Sequence, residues 1–539
     1  MSDARDRGLL PVEDHLAAGF LRSAAAAPHT TALEVDGERW SYERLLGVSS
    51  AISHGLEENA ASEAPARTAV FAHRSWVAYA GLLAALIRGH AYVPLNRRFP
   101  EARTREMFMR SGSRAIVVDG ASLVQLEAVL ADVAEKIVII APDADDIGEL
   151  RRRFGRHDVI GNDDLSRDAD VSLEPPPRDG PAYLLFTSGS TGSPKGVLVG
   201  HRNVTPFIRS MANRYGTVPS DRVSQAFDLT FDLSVFDMFV GWEHGASVHC
   251  LPEKVVMKPD RFIRERELTI WFSVPSVAVF LQRLGALKGG VFPSLRWSLF
   301  CGEALPAEIA DAWQSAAPNS TLENLYGPTE ATIACTAYRW RPGLLDQARY
   351  QGLVPIGEPL GETSAMVADS DLREVGDSEE GELLVGGPQV TLGYLDDPAR
   401  TAASFVVPVG CDGEHYRTGD RVVRTTDGNL HYLGRMDGQV QVHGYRVELG
   451  EVEAAIRDAS GVVGAAAIGW PLSAAGAEGI VAFVSSSDSL DARDVRAMLE
   501  TRLPRYMLPQ EIRVLDDLPL NPNGKIDRQA LHALMESAE

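Results

Sequence analysis

Cysteine is scarce in this chain: Cys250, Cys301, Cys335 and Cys411 are the only four among 539 residues. None stands at a disulfide or metal-ligand spacing from another, which excludes a disulfide scaffold and a zinc finger and suits a reducing cytoplasm. Positive charge is also short. Lys and Arg number 52 against 74 Asp and Glu, a formal net charge of -22, which disfavours nucleic acid and anionic membrane as partners. No apolar run is long enough to span a bilayer, and the N-terminal MSDARDRGLLPVEDH alternates charge where a signal peptide needs an apolar stretch. The expected location is cytoplasmic. Internal repeats and low-complexity tracts are missing too. What remains is an ordinary globular composition, 45% hydrophobic and 23% charged, on a chain longer than one hydrophobic core sustains, so two or more domains are expected.

Helical and extended periods alternate along the first half. Ser41 is placed to cap a helix carrying Leu45, Val48 and Ile52, and the apolar run from Tyr79 to Ile87 leads into the extended AYVPL of Ala91 to Leu95. Arg114 to Val118 and Lys136 to Ile140 read as strands around a helix with Leu123, Leu126 and Leu130. After Gly434 the pattern changes to glycine-punctuated strands and a short helix with Leu449, Val452 and Ile456 on one face, followed by a strand, strand, helix, strand, helix series. The fold class is therefore α/β, with a large N-terminal domain of mixed sheets and helices (1–436) and a small α+β C-terminal domain (437–539).

Between a strand ending at Phe186 and a second apolar segment lies LLFTSGSTGSPKGV, Leu184 to Val197. Gly189, Gly192 and Gly196 let backbone N–H groups approach an anion, Thr187, Ser188, Ser190 and Thr191 offer hydroxyls, and Lys195 adds a cation. These are the parts of a triphosphate-handling loop. The lysine follows Ser193-Pro194 and precedes Gly196 rather than Ser or Thr, so the Walker arrangement is excluded. A Gly/Ser surface turn is the plainer reading of the loop taken alone.

Other segments corroborate the loop: WSYERL (Trp40 to Leu45), GHAYVPLNRRFP (Gly89 to Pro100), FDLSVFDMF (Phe231 to Phe239), NLYGPTE (Asn324 to Glu330), GELLVGGPQVTLGY (Gly381 to Tyr394), YRTGD (Tyr416 to Asp420), GRMDGQVQVHGYRVELGEVE (Gly434 to Glu453) and NPNGKID (Asn521 to Asp527). In these motifs and their order the chain resembles the adenylate-forming superfamily, and within it the amino-acid adenylation domains of nonribosomal peptide synthesis. The resemblance covers nearly the whole chain. It implies that a carboxylate attacks the α-phosphate of ATP, that pyrophosphate leaves, and that a thiol then attacks the mixed anhydride. Cations and amide donors prearranged around the phosphates stabilise such a reaction.

The resemblance implies a role for each motif residue. Lys525 becomes the catalytic cation bridging substrate carboxylate and nucleotide, and Thr329 joins the loop residues at the phosphates. Glu330 holds Mg²⁺ on the triphosphate with Thr187 or Thr191 adding oxygen. Tyr326 stacks on adenine, Asn324 lies at the adenine edge with Gly302, Glu303 and Ala304, and Asp420 and Arg435 take the ribose. ATP and Mg²⁺ are the implied cofactors, without a tightly bound organic group.

Asp232, in FDLS, is implied to pair with a substrate ammonium, since a desolvated ammonium without a carboxylate is costly to bind. A helix N-cap is the alternative use of this Asp, and Asp228 in the preceding FDLT has the same form. Threading the remaining pocket by motif gives Leu233, Phe236, Val277, Leu299, Cys301, Leu325, Ile333 and Ala334. This almost wholly apolar set favours an uncharged, small to medium, mainly aliphatic α- or β-amino acid. It partly resembles cysteine-activating pockets, from which Val277 and Ala334 depart.

Two half-reactions in one site imply a small domain that turns about a hinge at Asp437, exchanging Lys525 for a thiol-accepting face. Gln441 and His443 stand where the family commonly has Lys and Arg. The chain ends soon after NGKID, so a stand-alone enzyme is expected. The expected partners are a separate carrier protein, which supplies the phosphopantetheine thiol, and the amino acid; a small activating partner protein is left open. The rival readings are an acyl-CoA ligase acting on a non-amino acid and a catalytically inactive nucleotide-binding or scaffold protein.

Overall fold

The computed structural model describes residues 9–59, 66–166, 171, 173–189, 192–342, 352–459, 462–473, 476–486, 491–520 and 526–537. Of the residues singled out in the sequence, Ser190, Thr191 and Lys525 lie outside them. The elements read from the sequence are present. The hydroxyl of Ser41 accepts from the Arg44 N–H at 3.1 Å at the start of the helix Tyr42–Asn59. The run Tyr79 to Ile87 is the body of the helix Trp76–Ile87, buried from Val77 to Leu86.

Two large sheets sandwich that helix. The first has seven strands, Asp158–Gly161, Val138–Ala141, Ala115–Val118, Arg67–Phe71, Ala91–Leu95, Pro181–Thr187 and Lys195–Gly200, parallel except for the last pair. The second has nine, with Thr321–Tyr326, Trp297–Phe300, Ile270–Ser273, Arg222–Gln225, Ser247–Cys250 and Thr31–Val35 parallel at its centre. Parallel strands buried on both faces need apolar cover. The helices Trp76–Ile87 and Leu233–Glu243 supply it, and a helix that is apolar nearly all round belongs in such a position. One core cluster accordingly joins Val70, Tyr92 and Tyr183 of the first sheet to Leu33, Val248 and Phe272 of the second.

A third, antiparallel sheet contains Ser364–Ala368, Glu380–Gly386, His415–Arg424 and Leu430–Arg435. Beyond it the small C-terminal domain packs helices Leu449–Arg457, Ala492–Glu500 and Arg528–Glu536 with the strands Val462–Gly469, Ile480–Ser486 and Glu511–Leu515. Asp527 caps its last helix, accepting from the N–H groups of Gln529 and Ala530. Among the described residues no helix is long and apolar enough to cross a membrane, and all four cysteines are free.

Candidate functional site

Four parallel strands of the nine-stranded sheet end toward one crevice, and the candidate residues follow their carboxyl ends. Asp232 comes after Arg222–Gln225, Cys301 and Gly302 after Trp297–Phe300, Glu330 after Thr321–Tyr326, and Val274 after Ile270–Ser273. Ligand crevices of open α/β sheets form at such ends because each chain turns away there and leaves space between loops.

The glycine-rich loop joins two antiparallel strands, with Thr187 opposite Lys195. Its glycines have local reasons. A Cβ on Gly189 would stand 2.1 Å from the Ser193 carbonyl oxygen, and Gly192 adopts φ +93°. Lys195 reaches Glu330 Oε1 at 2.9 Å, while Arg446 reaches the other oxygen at 3.0 Å and the Tyr394 hydroxyl donates to Oε1 at 2.8 Å. Burial works to raise the Glu330 carboxyl, but Lys195 and Arg446 outweigh it and hold the group well below the usual carboxylate range. Burial draws Lys195 down, opposed by Glu330. The Thr187 hydroxyl is buried without a hydrogen-bond partner.

Among the residues expected at the nucleotide, Asp420 accepts from the Tyr326 hydroxyl and pairs with Arg435 at 2.9 Å. Arg435 also donates to Asp437 at 3.0 Å, and Asp437 accepts from the Gln439 N–H at 3.1 Å. The Asn324 amide donates to the Pro355 carbonyl at 2.9 Å, which leaves its buried oxygen without a partner. Glu303 accepts from the Ser276 N–H at 2.7 Å, and burial pushes its carboxyl up to about 7. Gly302, at φ +90°, lies beside Ala304 in the same turn.

Asp232 begins the helix Leu233–Glu243 but makes no side-chain cap, so the N-cap alternative fails. Its Oδ2 accepts from the Ile333 N–H at 3.1 Å. No ion pair reaches it among the described residues, and burial pushes its pKa up to about 6. Asp228 is engaged elsewhere: it takes hydrogen bonds from Thr230 and Asn96 and pairs with His73 at 2.9 Å. Leu233, Phe236, Leu299, Cys301, Leu325, Ile333 and Ala334 share one apolar cluster. Val277 does not join them; it sits on the helix Pro275–Arg283 in a separate cluster with Trp271 and Trp313. The reason is local, since Pro275 starts that helix and turns Val277 away. Val274, just before it, stands 3.4 Å from where a Gly302 Cβ would be, beside Leu233. Burial, then the charge of Asp232, pushes the Cys301 thiol up to about 12, so it is neutral.

The sequence points to the small domain through Lys525 and Asp437, but not to the residues it brings to the crevice in this structure. Arg446 reaches Glu330 beside the glycine-rich loop, and its carbonyl accepts from the Ser188 hydroxyl at 2.8 Å. Glu451 pairs with Arg103 and accepts the Gly189 N–H at 3.0 Å. Gly444 lies so close to Val274 that a Cβ would come within 2.5 Å of it. Tyr445 stacks on Tyr506 and meets Phe231 edge-on, with ring centroids 4.0 and 5.3 Å apart. A glycine-punctuated strand pair carries no signal of the partner it will face. His443 takes φ +49° in that turn, and the Gln441 side-chain oxygen is buried without a partner.

Comparison with known proteins places these features in a context. The sequence model described as AMP-binding enzyme matches residues 20–395, and that of the AMP-binding enzyme C-terminal domain matches residues 451–525. Surfactin synthase subunit 2 of Bacillus subtilis is 31% identical over 96% of the chain, which spans only 14% of that relative's length. An L-proline--[L-prolyl-carrier protein] ligase of Pseudomonas fluorescens is 34% identical, over 96% of this chain and 98% of its own. The Vibrio cholerae adenylation domain AlmE, solved with glycyl-adenosine-5'-phosphate, superposes with a TM-score of 0.86 at 30% identity, over 97% of this chain and 98% of its own.

Proposed function

The chain belongs to the AMP-binding enzyme family, and from that premise we propose that it is an AMP-forming amino-acid ligase that makes an aminoacyl-AMP from ATP, releases pyrophosphate, and transfers the aminoacyl group to the thiol of a phosphopantetheine-bearing carrier protein. A cytoplasmic setting, with ATP and reduced thiols at hand, fits this chemistry.

One observation carries the substrate class. Asp232 is buried, the groups that hydrogen-bond it (the Ile333 and Leu233 backbone and the Thr329 side chain) are all neutral, and it lacks a cation of its own among the described residues. A buried carboxylate without a partner is costly, so the missing cation belongs to the ligand, and an ammonium supplies it. The surrounding side chains are apolar and Cys301 stays neutral, so the rest of the substrate is uncharged, small to medium and mainly aliphatic. A β-amine one carbon further out meets the same carboxylate.

The remaining roles are those the family motifs imply, supported by the contacts of the described residues. Asp420 and Arg435 take the ribose, Tyr326 the adenine face and Asn324, through its unpaired oxygen, an adenine donor. Gly302, Glu303 and Ala304 border that pocket. Thr187, Ser188, Gly189, Ser190, Thr191, Gly192, Lys195 and Thr329 hold the phosphates. A Mg²⁺ bound chiefly by phosphate oxygens needs few protein donors, and Glu330 with the orphaned Thr187 hydroxyl would hold it once Arg446 leaves. Its positive charge stabilises the triphosphate. Lys525 serves as the cation of the adenylation step.

In the arrangement seen here, Arg446 and Glu451 occupy groups that the phosphates would use. Leu520 and Ile526, on either side of the segment containing Lys525, pair with each other, and Ile526 packs on Ala466 and Ile468 within the small domain. A turn of residues 437–539 against 1–436 about Asp437 exchanges these two sets. The docked face of Gly444 and Tyr445 then belongs to thiol transfer, and the carrier-protein acceptor named for the full-length relative supports that second half.

The test is amino-acid-dependent exchange of pyrophosphate into ATP over α- and β-amino acids, aryl acids and fatty acids, followed by loading of a carrier protein against free coenzyme A. Exchange with an aliphatic amino acid and loading of the carrier are expected. Exchange with non-amino acids alone would sink the role of Asp232. ATP binding without any exchange would leave an inactive nucleotide binder.

A further inference from the structure

Behind Lys195, on the side away from the hinge, lies a cavity of about 160 Å³ that the roles above do not use. Three cations line it: Lys195, Arg110 and Arg400. Glu106 and Asp397 line it as well, so the local balance is one net positive charge on a protein whose overall charge is -22. A second cavity, of about 450 Å³, runs from Lys195 toward Asp437, and both share Lys195, Tyr394 and Arg400. The Tyr394 ring lies between the two cations at the shared wall, 5.2 Å from the Lys195 ammonium and 6.0 Å from the Arg400 guanidinium.

Arg400 is not a loose surface cation. Its Nε pairs with Asp397 at 3.2 Å, and Asp397 also caps the turn of helix that carries it by accepting the Arg400 N–H at 3.0 Å. This holds Nη1 against the glycine-rich loop, 3.5 Å from the point where a Gly189 Cβ would sit. Arg110 reaches the same loop at Pro194, donating to its carbonyl. Two guanidinium groups thus approach the loop backbone, near Gly189 and at Pro194, and line one cavity with Lys195.

We propose that this cavity is a subsite for the departing diphosphate, with Arg400 and Arg110 as its contacts beside Lys195. The inference rests on the adenylation reading and adds to it a place for the leaving group. When Glu451 takes the Gly189 N–H and Arg446 takes Glu330, the small domain occupies the groups that face the hinge-side cavity and walls that cavity with Arg446 and Glu448. Pyrophosphate still held by Lys195 then has the far side open to it. Guanidinium groups suit the task, since they bind phosphoryl oxygens through paired N–H donors.

The test is calorimetric titration of the whole protein with inorganic pyrophosphate and, separately, with AMP. Arg400→Ala is expected to weaken pyrophosphate binding about tenfold, the size of one lost charge-assisted hydrogen bond, with AMP affinity within twofold of the unmodified protein. Arg400→Lys keeps the charge and is expected to fall between. Arg110→Ala should weaken pyrophosphate in the same direction, and thermal melting of each variant reports whether it is folded. Unchanged pyrophosphate affinity in folded Arg400→Ala and Arg110→Ala overturns the subsite. Equal loss of AMP and pyrophosphate also overturns it, because the arginines would then support the nucleotide site as a whole. If the unmodified protein supports amino-acid-dependent exchange while these variants bind pyrophosphate normally, only this inference fails; if it supports no exchange, the adenylation reading fails first.

Discussion

Glu330 and Asp232 are two carboxylates buried in the same crevice, and the chain treats them in opposite ways. Glu330 has a cation on each oxygen, Lys195 from its own domain and Arg446 from the small domain, and stays ionised despite complete burial. Asp232 has only neutral hydrogen-bond partners, Ile333, Thr329 and Leu233, and burial raises its carboxyl to about 6. A protein that leaves a buried carboxylate uncompensated gives up stability unless something else completes the pair. The difference teaches which half of the crevice is finished by the chain and which by its ligand. It also separates a half that depends on domain position from one that does not, since the groups placed around Asp232 all come from the large domain.

The contrast can be broken from the Glu330 side first. Glu330→Gln removes the carboxylate that pairs with Lys195 and that would hold Mg²⁺ once Arg446 leaves, and ATP-dependent exchange at saturating amino acid should fall on the order of 10³-fold with a raised KM for ATP. If the defect appeared in the KM for the amino acid instead, the two halves would not be distinct. Asp232→Asn should do the converse, lowering kcat/KM for the amino acid on the order of 10²-fold while the KM for ATP changes only a few-fold.

A pH profile sharpens the comparison without a mutation. In the free protein Asp232 is ionised above about pH 6 and protonated below it, so kcat/KM for the amino acid should climb about tenfold per pH unit up to about 6 and then level. Glu330, held low by its cations, adds no step in that range. A flat profile from pH 5 to 7, or a step that persists in Asp232→Asn, contradicts the assignment. The smallest effect expected is at the pocket wall. Cys301→Ala should shift preference toward a side chain one methylene larger by about 1 kcal/mol, read as a roughly fivefold change in the ratio of kcat/KM values.

Much of this was legible in the chain because the signals are local. Ser41 announced a cap, Asp527 sits before a helix it does cap, and the alternation of apolar runs gave the layered α/β order. The choice of Asp232 over Asp228 came from the residues that follow it. What separates the two in the fold is that His73, Asn96 and Thr230 come to Asp228, whereas Asp232 has neutral partners and no cation among the described residues. Val277 packs in a separate cluster because the helix starting at Pro275 follows directly on the strand end at Ser273. Arg446, Glu451 and Arg400 were not legible as site residues. Their partners lie far away in sequence, Glu330 and Gly189 for the first two, and no period or spacing marks a contact between domains.

The central claim is that Asp232 waits for a cation carried by the substrate. The most direct measurement compares pyrophosphate exchange supported by the preferred amino acid and by its analogue lacking only the amine, in the unmodified protein and in Asp232→Asn. The account predicts a preference on the order of 10²-fold for the amine-bearing acid that collapses to a few-fold in the variant. Equal exchange with both acids in the unmodified protein, or a preference that survives Asp232→Asn intact, would contradict it.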